Sequence, residues 1–154
     1  IAQCLVGSEM CIRDRYTHAV FSTALDPNVF VLRLVPGMRA DIIPMLEGRY
    51  RALVLESFGV GGLPGGDDGA MFAAVRDWCG AGHLAVFTTQ VPHEGSDLAV
   101  YEVGRAAKAL PGVLEAHDMT PEATAVKLMW VLGQTTDRAE AEKLFLTPVQ
   151  WDIL

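Results

Sequence analysis

The side chains best suited to acid–base or nucleophilic chemistry stand close together in the stretch PHEGSD: His93, Glu94, Ser96 and Asp97. A Ser–His–Asp triad needs these groups within mutual hydrogen-bond reach and beside an oxyanion hole. Neighbours on one loop seldom reach that arrangement, and the sequence has no G-x-S-x-G nucleophile elbow. We therefore expect a solvated turn, with a ligand-binding role as the alternative.

The other candidate site is a glycine-rich loop, residues 59–69, which follows an apolar run and precedes a helical pattern. Open α/β folds build ligand sites in this order, at the carboxyl ends of parallel strands. The loop is either a plain turn or the backbone-lined wall of a pocket for a small polar ligand. Glu56 ends the apolar run, and a charge there should reach solvent or find a partner.

The spacing of the loop argues against nucleotide binding. The dinucleotide pattern G-x-G-x-x-G, started at Gly59, meets Pro64 where its third glycine should stand. The P-loop pattern, started at Gly61, meets Asp67 and Asp68 where Lys and Ser or Thr should stand. Two carboxylates would repel a phosphate.

The histidines and cysteines do not indicate a metal site, because no H-x-x-x-H or C-x-x-C spacing is present. We expect His83 at a helix end, His117 and Asp118 shaping the entry to a helix, and Cys79 as a small buried residue. The sequence predicts no cofactor.

Composition limits the partners of the chain. Its 154 residues fit one domain, and 51% hydrophobic residues are enough for a sizeable core. A net charge of −7 with scattered Lys and Arg argues against nucleic acid or an anionic membrane as partner. No apolar run approaches the roughly 20 residues that span a bilayer. Three irregularly spaced cysteines favour a reducing cytoplasm over a disulfide framework.

The first residues, IAQCLVGSEMCIRD, lack the features of a signal peptide and any strand or helix periodicity. They resemble CLVGSEMCIRD strings that arise where sequencing adapter is translated at the edge of an assembled gene. We expect residues 1–15 to be an artefact or a disordered tail and residues 16–154 to form the domain. The natural chain would then continue upstream.

Strand-like and helix-like patterns alternate along the domain, which predicts an α/β fold with a parallel sheet of about four strands, flavodoxin-like (Rossmann-like), flanked by helices. Right-handed crossovers then bring the loops after the strands to one edge, so the glycine loop and PHEGSD should be neighbours. The final TPVQWDIL is expected to be a tail or an edge segment. The predicted strands are 29–35, 52–57, 84–91 and 113–116, and the predicted helices are 41–48, 70–79, 99–110, 120–133 and 137–146.

Four strings in collinear order carry a family resemblance: VLRLVPG, LVLESFGVGGLP, TTQVPHEGSDLAVYEVG and LEAHDMTPEATAVKLMWVLGQT. Together they resemble the C-terminal domain of the type I (cytoplasmic-type) L-asparaginases from about Asp26 to Gln134. The related amidotransferase subunit that acts on glutamate-charged tRNA shares this domain.

The resemblance implies a two-domain, cytoplasmic amidohydrolase that converts asparagine to aspartate and ammonia. The family's catalytic threonines lie in an N-terminal domain, whose T-G-G-T-I-like and H-G-T-D-T-like segments are absent from this sequence. The chain is therefore expected to hold no catalytic residue, to form a homodimer or homotetramer, and to close a partner's active site. The alternatives are a non-catalytic effector-binding or assembly module, the corresponding amidotransferase domain, or an inert fragment.

Two departures from the family pattern concern the predicted pocket. Gly62 stands where relatives often have the Asn of G-V-G-N, so a side-chain amide is missing. Allosteric members hold effector asparagine through an arginine and a T-Q-C cysteine, where this sequence has Glu56 and Val91. We therefore expect that form of allostery to be absent. The pocket candidates are Glu56, Ser57, Gly61, Gly62, Gln90, Val91, His93 and Glu94.

Overall fold

The computed structural model describes residues 21–64, 69–149 and 152–153. The predicted tail 1–15 and the pair Asp67–Asp68 lie outside the described residues. Strands and helices alternate along most of the described chain, as the sequence patterns predict. The elements are β1 (Val29–Arg33), α1 (Ile42–Leu46), β2 (Ala52–Ser57), α2 (Ala70–Gly80), β3 (Leu84–Thr89), α3 (Glu102–Lys108), β4 (Val113–Glu115), α4 (Pro121–Gln134) and α5 (Arg138–Leu146).

The four strands form one parallel sheet in the order β1-β2-β3-β4, which confirms the predicted α/β class. The two central strands, ALVLES and LAVFTT, are buried along almost their whole length. Continuous apolar runs of this kind are typical of parallel strands that helices cover on both faces. In the described residues, no helix is long and apolar enough to cross a membrane.

Successive side chains along each strand point to opposite faces of the sheet, and each face contributes to its own hydrophobic core. On one face, Leu53 and Phe87 pack in a cluster with residues of α1, α2 and α3. On the other face, Val54 and Val86 pack with residues of α4 and α5. The sheet therefore lies between two helical layers, and α3 and α4 are on opposite sides of it.

Several elements are shorter than their apolar patterns predict, because polar side chains form hydrogen bonds with the backbone groups at their ends. β3 ends at Thr89, whose hydroxyl accepts the amide hydrogen of Val91 at 2.9 Å. β1 ends at Arg33. The carbonyl of the following residue, Leu34, accepts a hydrogen bond from the Gln90 side chain at 2.7 Å. Helix α3 begins at Glu102, three residues later than predicted. The Asp97 carboxylate accepts the Ala99 amide at 2.8 Å and holds the intervening residues in a turn.

The starts of α1 and α4 show two different uses of a helix cap. The Thr120 hydroxyl accepts the amide of Ala123 at 3.2 Å, and Pro121 occupies the first turn, as predicted. Asp41 occupies the predicted N-cap position of α1, but its carboxylate is engaged by Arg39 at 2.8 Å and caps nothing.

Both ends of the described chain pack on α4. Lys127 is buried and forms a 2.9 Å ion pair with Asp152, and Ile153 is buried beside the core, so part of the predicted tail belongs to the fold. At the other end, the Asp26 amide donates to the Met129 carbonyl at 2.9 Å, and Ala24 lies directly against Gly133.

Asp26 also holds Arg51 at 2.7 Å. Burial alone would raise the pKa of Asp26, but the Arg51 side chain and the Asn28 amide outweigh it and leave that pKa below its ordinary value. The segment before β1 is thus tied to the sheet by charge as well as by packing.

Replacing Gly133 by alanine tests the packing of this segment. The new methyl group would overlap the backbone carbonyl of Ala24, so we expect Gly133→Ala to lower the free energy of unfolding by about 1–3 kcal/mol. Gly80→Ala is the matched control, because Gly80 is also helical and has open space around it. It should be neutral or stabilise by up to about 1 kcal/mol. Denaturant unfolding measures both, and equal stabilisation by the two substitutions would contradict the packing described.

Candidate functional site

The glycine loop and the loop after β3 are neighbours, as the parallel topology predicts. The Val60 carbonyl accepts the Asp97 amide at 2.7 Å, and the Thr89 hydroxyl donates to the Gly59 carbonyl. Gly61 lies so close to Leu98 that a Cβ atom there would stand 2.9 Å from the leucine side chain. The two candidate loops therefore form one continuous surface at the carboxyl ends of β2 and β3.

The first half of the glycine loop is a closed turn. The amide of Phe58 donates to the Gly62 carbonyl at 3.1 Å, and the amides of Gly61 and Gly62 both donate to the Phe58 carbonyl, at 3.1 and 2.8 Å. Gly59 adopts a φ of 49°, a conformation that favours glycine. Because these amides are already paired, Gly61 and Gly62 offer a ligand shape more than hydrogen-bond donors.

A cavity of about 360 Å³ opens beside this surface, between the ends of β1, β2 and β3 and the first turn of α4. It brings together four of the eight predicted pocket residues. The residues that line it are Arg33, Glu56, Thr89, Gln90, Val91, Pro92, Glu94, Asp118, Met119, Thr120, Pro121 and Glu122.

Gln90 is the structural centre of the cavity wall. Its side-chain amide donates to the carbonyl of Leu34 at 2.7 Å and to that of Glu56 at 2.8 Å, while its own backbone amide donates to the Ser57 carbonyl at 3.2 Å. One side chain that follows β3 thereby closes the ends of β1 and β2. Gln90 fixes the mouth of the cavity, and its side-chain NH₂ group is occupied by the protein itself.

Glu56, near the end of β2, forms an ion pair with Arg33 of the neighbouring strand. It stands beside Arg33 in the parallel register, and the two side chains form an ion pair of 3.5 Å. Only 14% of the Glu56 side chain is exposed, against 64% of the Arg33 side chain. The carboxylate is therefore held at the cavity wall by a solvent-exposed cation.

The charge of the cavity limits its ligands. Glu56, Glu94, Asp118 and Glu122 contribute four carboxylates against the single guanidinium of Arg33. The positive end of the α4 dipole offsets only part of this excess. Among the described residues, no group of three or more His, Cys, Asp or Glu side chains converges closely enough to hold a metal ion. The arrangement suits a neutral or cationic polar group better than a carboxylate.

Four predicted pocket residues do not line the cavity. Ser57 is fully buried, and its hydroxyl donates to the Thr88 carbonyl at 2.8 Å. Gly61 and Gly62 belong to the closed turn, and His93 is exposed on the neighbouring loop. Ser96, three residues further along the same loop, is instead buried, so the serine of PHEGSD is shielded from solvent and the histidine is not.

Sequence reasoning missed the other wall of the cavity, which Asp118 and Glu122 form with the start of α4. The residues between β4 and α4 leave the same edge of the sheet as the two candidate loops, so the strand order could have placed them there. It also missed Tyr101, whose hydroxyl lies 3.2 Å from the Cβ position of Gly59. Nothing in the local sequence links these two residues.

The loop after β3 is held by a buried carboxylate. Glu115, at the end of β4, accepts the Leu98 amide at 2.8 Å and pairs with Lys108 of α3 at 2.6 Å. The hydrogen bond and the negative charge of Glu115 raise the pKa of Lys108 above its ordinary value. Because Leu98 packs on Gly61, this contact positions the glycine loop through one intermediate side chain.

Comparison with known proteins identifies the domain. Residues 28–145 match the model of the Glutaminase/Asparaginase C-terminal domain. The chain belongs to this family. It is 41% identical over 142 residues to an L-asparaginase from Thermococcus kodakarensis, a match that covers 90% of the chain and 42% of the relative. The predicted resemblance to an asparaginase C-terminal domain is confirmed.

The asparaginase relationship extends to solved structures and to a second enzyme class. The structure of the thermostable L-asparaginase from T. kodakarensis superposes with a TM-score of 0.78 at 38% identity, over 85% of this chain and 39% of that one. A polypeptide of the glutamyl-tRNA(Gln) amidotransferase from Metallosphaera sedula is 33% identical over 141 residues, which are 88% of this chain and 31% of that polypeptide. The chain thus spans less than half the length of the relatives it matches.

Substitution of Gln90 tests its role at the cavity mouth. Gln90→Leu leaves the Leu34 carbonyl without its donor, so we expect a loss of about 2 kcal/mol in the free energy of unfolding. Gln134→Leu is the matched control, because Gln134 also bridges two backbone carbonyls, those of Ala24 and Trp130, but its hydrogen bonds are exposed. Its cost should stay below about 1 kcal/mol. Equal costs in chemical unfolding would show that Gln90 does not close the sheet edge.

Proposed function

We propose that this chain is the C-terminal part of an L-asparaginase-type amidohydrolase, which converts asparagine to aspartate and ammonia. The observation that carries the proposal is the match to the asparaginase C-terminal domain, with 41% identity to a named L-asparaginase over 90% of the chain. The site geometry supports a binding wall more than a catalytic centre. Attack on an amide carbonyl requires an activated nucleophile and an oxyanion hole.

The residues of the cavity supply neither requirement. The Thr89 hydroxyl is engaged by the Gly59 carbonyl and the Val91 amide, and the amides of Gly61 and Gly62 are paired inside their turn. The sequence also lacks the two threonine motifs that the family resemblance calls for. We assign the chemistry to groups outside this chain and give the chain two roles, forming a homodimer or homotetramer and closing a partner's pocket.

The cavity beside Glu56 is not an asparagine effector site in this proposal. An effector carboxylate entering it would meet Glu56, which already pairs with Arg33, and three further carboxylates line the same space. Like charges in a partly desolvated site oppose binding. Val91 adds no polar group in place of a cysteine.

An amidotransferase is the second candidate, since polypeptides of the glutamyl-tRNA(Gln) amidotransferases are also similar to this chain. The higher identity to the L-asparaginase, 41% against 33%, favours the hydrolase. We also propose a cytoplasmic location, supported by the irregular cysteine spacing and by Cys79, a free and buried thiol.

Ammonia release tests the proposal that the catalytic groups lie outside this chain. The purified 154-residue chain should release no ammonia from asparagine above a heat-inactivated control, because its sequence lacks the two threonine motifs that supply the family's nucleophile. A longer form that includes the upstream coding sequence should carry both threonine motifs and release ammonia. Turnover by the isolated chain would show that the catalytic groups lie in this chain, against the proposal. An unrelated upstream domain would overturn the asparaginase assignment.

The rate curve of the longer protein tests the absence of the effector site. We expect its initial rate to follow a hyperbola in asparagine concentration, since the carboxylate-lined cavity disfavours a second asparagine. Glu56→Gln removes one charge from the cavity and should leave the shape of the curve unchanged. A sigmoidal curve that this substitution abolishes would contradict the proposal.

A further inference from the structure

Glu115 is a buried carboxylate at the last position of the edge strand β4. It stands beside Phe87 in the parallel register, on the face of the sheet that α3 covers. Only 7% of its side chain is exposed, and each of its oxygens has a partner, the Lys108 ammonium at 2.6 Å and the Leu98 amide at 2.8 Å. A buried charge is tolerated only with such partners, so the two contacts fix where the carboxylate lies.

Leu98 connects this carboxylate to the glycine loop. Leu98 is fully buried, and a Cβ atom at Gly61 would stand 2.9 Å from its side chain. Its backbone is equally close to α3, because a Cβ atom at Gly104 would stand 2.6 Å from the Leu98 carbonyl oxygen. Close-packed groups transmit a displacement instead of absorbing it. A shift of Leu98 must therefore move the glycine loop or α3.

The residue before Leu98 makes a second link to the same loop. The Asp97 amide donates to the Val60 carbonyl at 2.7 Å. The first turn of the glycine loop is closed by its own hydrogen bonds, so it moves as a unit and takes its orientation from contacts with other segments. Residues 97–98 supply two of these contacts, and Glu115 holds them from β4.

The hydrogen bond from Leu98 matters more for this link than the ion pair with Lys108. The Lys108 side chain is 51% exposed, so solvent screens its attraction to Glu115. The hydrogen bond between the Leu98 amide and Glu115 is buried, and a backbone donor cannot turn away to solvent as a long side chain can. Removal of the carboxylate would leave that amide buried without an acceptor, which costs more than the loss of an exposed contact.

We propose that Glu115 is a positioning residue for the pocket wall that this chain contributes to asparagine hydrolysis. Through the Leu98 amide it sets the place of Gly61, and with it the wall that the glycine loop presents to bound asparagine. The inference rests on the proposed function and names a residue that serves it without touching the substrate. Because the loop borders the pocket and holds no reacting group, an error in its position weakens binding of the ground state and the transition state alike. The expected signature is a raised KM at an unchanged kcat.

Hydrogen exchange of the 154-residue chain, resolved by amide, tests the link from Glu115 to the glycine loop. Glu115→Leu leaves the Leu98 amide without an acceptor, so exchange at Gly61 and Gly62 should accelerate about tenfold or more relative to the amides of β2 and β3. Glu115→Asp is a milder second variant, because it keeps the charge but is one methylene shorter. Glu115→Gln keeps an acceptor oxygen for the amide and should stay within about threefold of the parent chain.

Ser96→Ala is the matched control for these variants. Ser96 is also buried in this loop, but its hydroxyl has no hydrogen-bond partner among the described residues, so exchange at the glycine loop should not change. Acceleration that is equal in the loop and in the central strands would give Glu115 a purely structural role and overturn the proposal. The absence of any acceleration would overturn it as well.

Steady-state kinetics of the longer protein test the consequence for the substrate. Glu115→Leu should raise the KM for asparagine about fivefold or more and leave kcat within about twofold of the parent, and Glu115→Gln should restore the parent KM. Glu115→Asp carries both measurements if Glu115→Leu does not fold. A fall in kcat at constant KM would contradict the positioning role. Ammonia release by the parent decides the enzymatic proposal, whereas the exchange pattern of the shorter chain decides the link from Glu115, so the two can fail independently.

Discussion

Parallel pairing of β2 with β3 is the constraint on which the rest of the structure depends. Their register, which sets Glu56 opposite Thr88 and Ser57 opposite Thr89, brings two strand ends to one line at the sheet edge. Every loop that follows a strand must then leave from the same side. The glycine loop, the PHEGSD loop and the entry to α4 become neighbours for this reason alone. Gln90 completes the edge by closing the ends of β1 and β2 with one side chain.

The elements that the sequence predicts well are those that a repeating pattern specifies. The strand 52–57 and the cap of α4 at Thr120 agree with the structure because burial and capping act locally. The ends of β1 and β3 do not, since side chains distant in sequence compete for their backbone groups. The contacts of Tyr101 with Gly59 and of Arg33 with Glu56 could not be predicted for the same reason, because the two residues of each pair are distant in sequence. Such pairs exist only after the sheet has formed.

The glycine loop shows why a composition signal can mislead about chemistry. Six glycines in a short stretch suggest a backbone open to a ligand, but the turn from Phe58 to Gly62 uses the amides of Gly61 and Gly62 internally. Gly61 is small because Leu98 packs against it. The loop is thus a shaped wall whose first turn keeps its backbone donors to itself.

The buried ammonium of Lys127 has a consequence for the segment that follows α5. It lies 2.9 Å from Asp152 and 3.0 Å from the Thr147 carbonyl, both far along the sequence. A buried cation without its carboxylate is strongly unfavourable. The packing of α4 on the sheet therefore depends on the segment that carries Asp152, although this segment lies beyond α5 and contributes no helix or strand of its own.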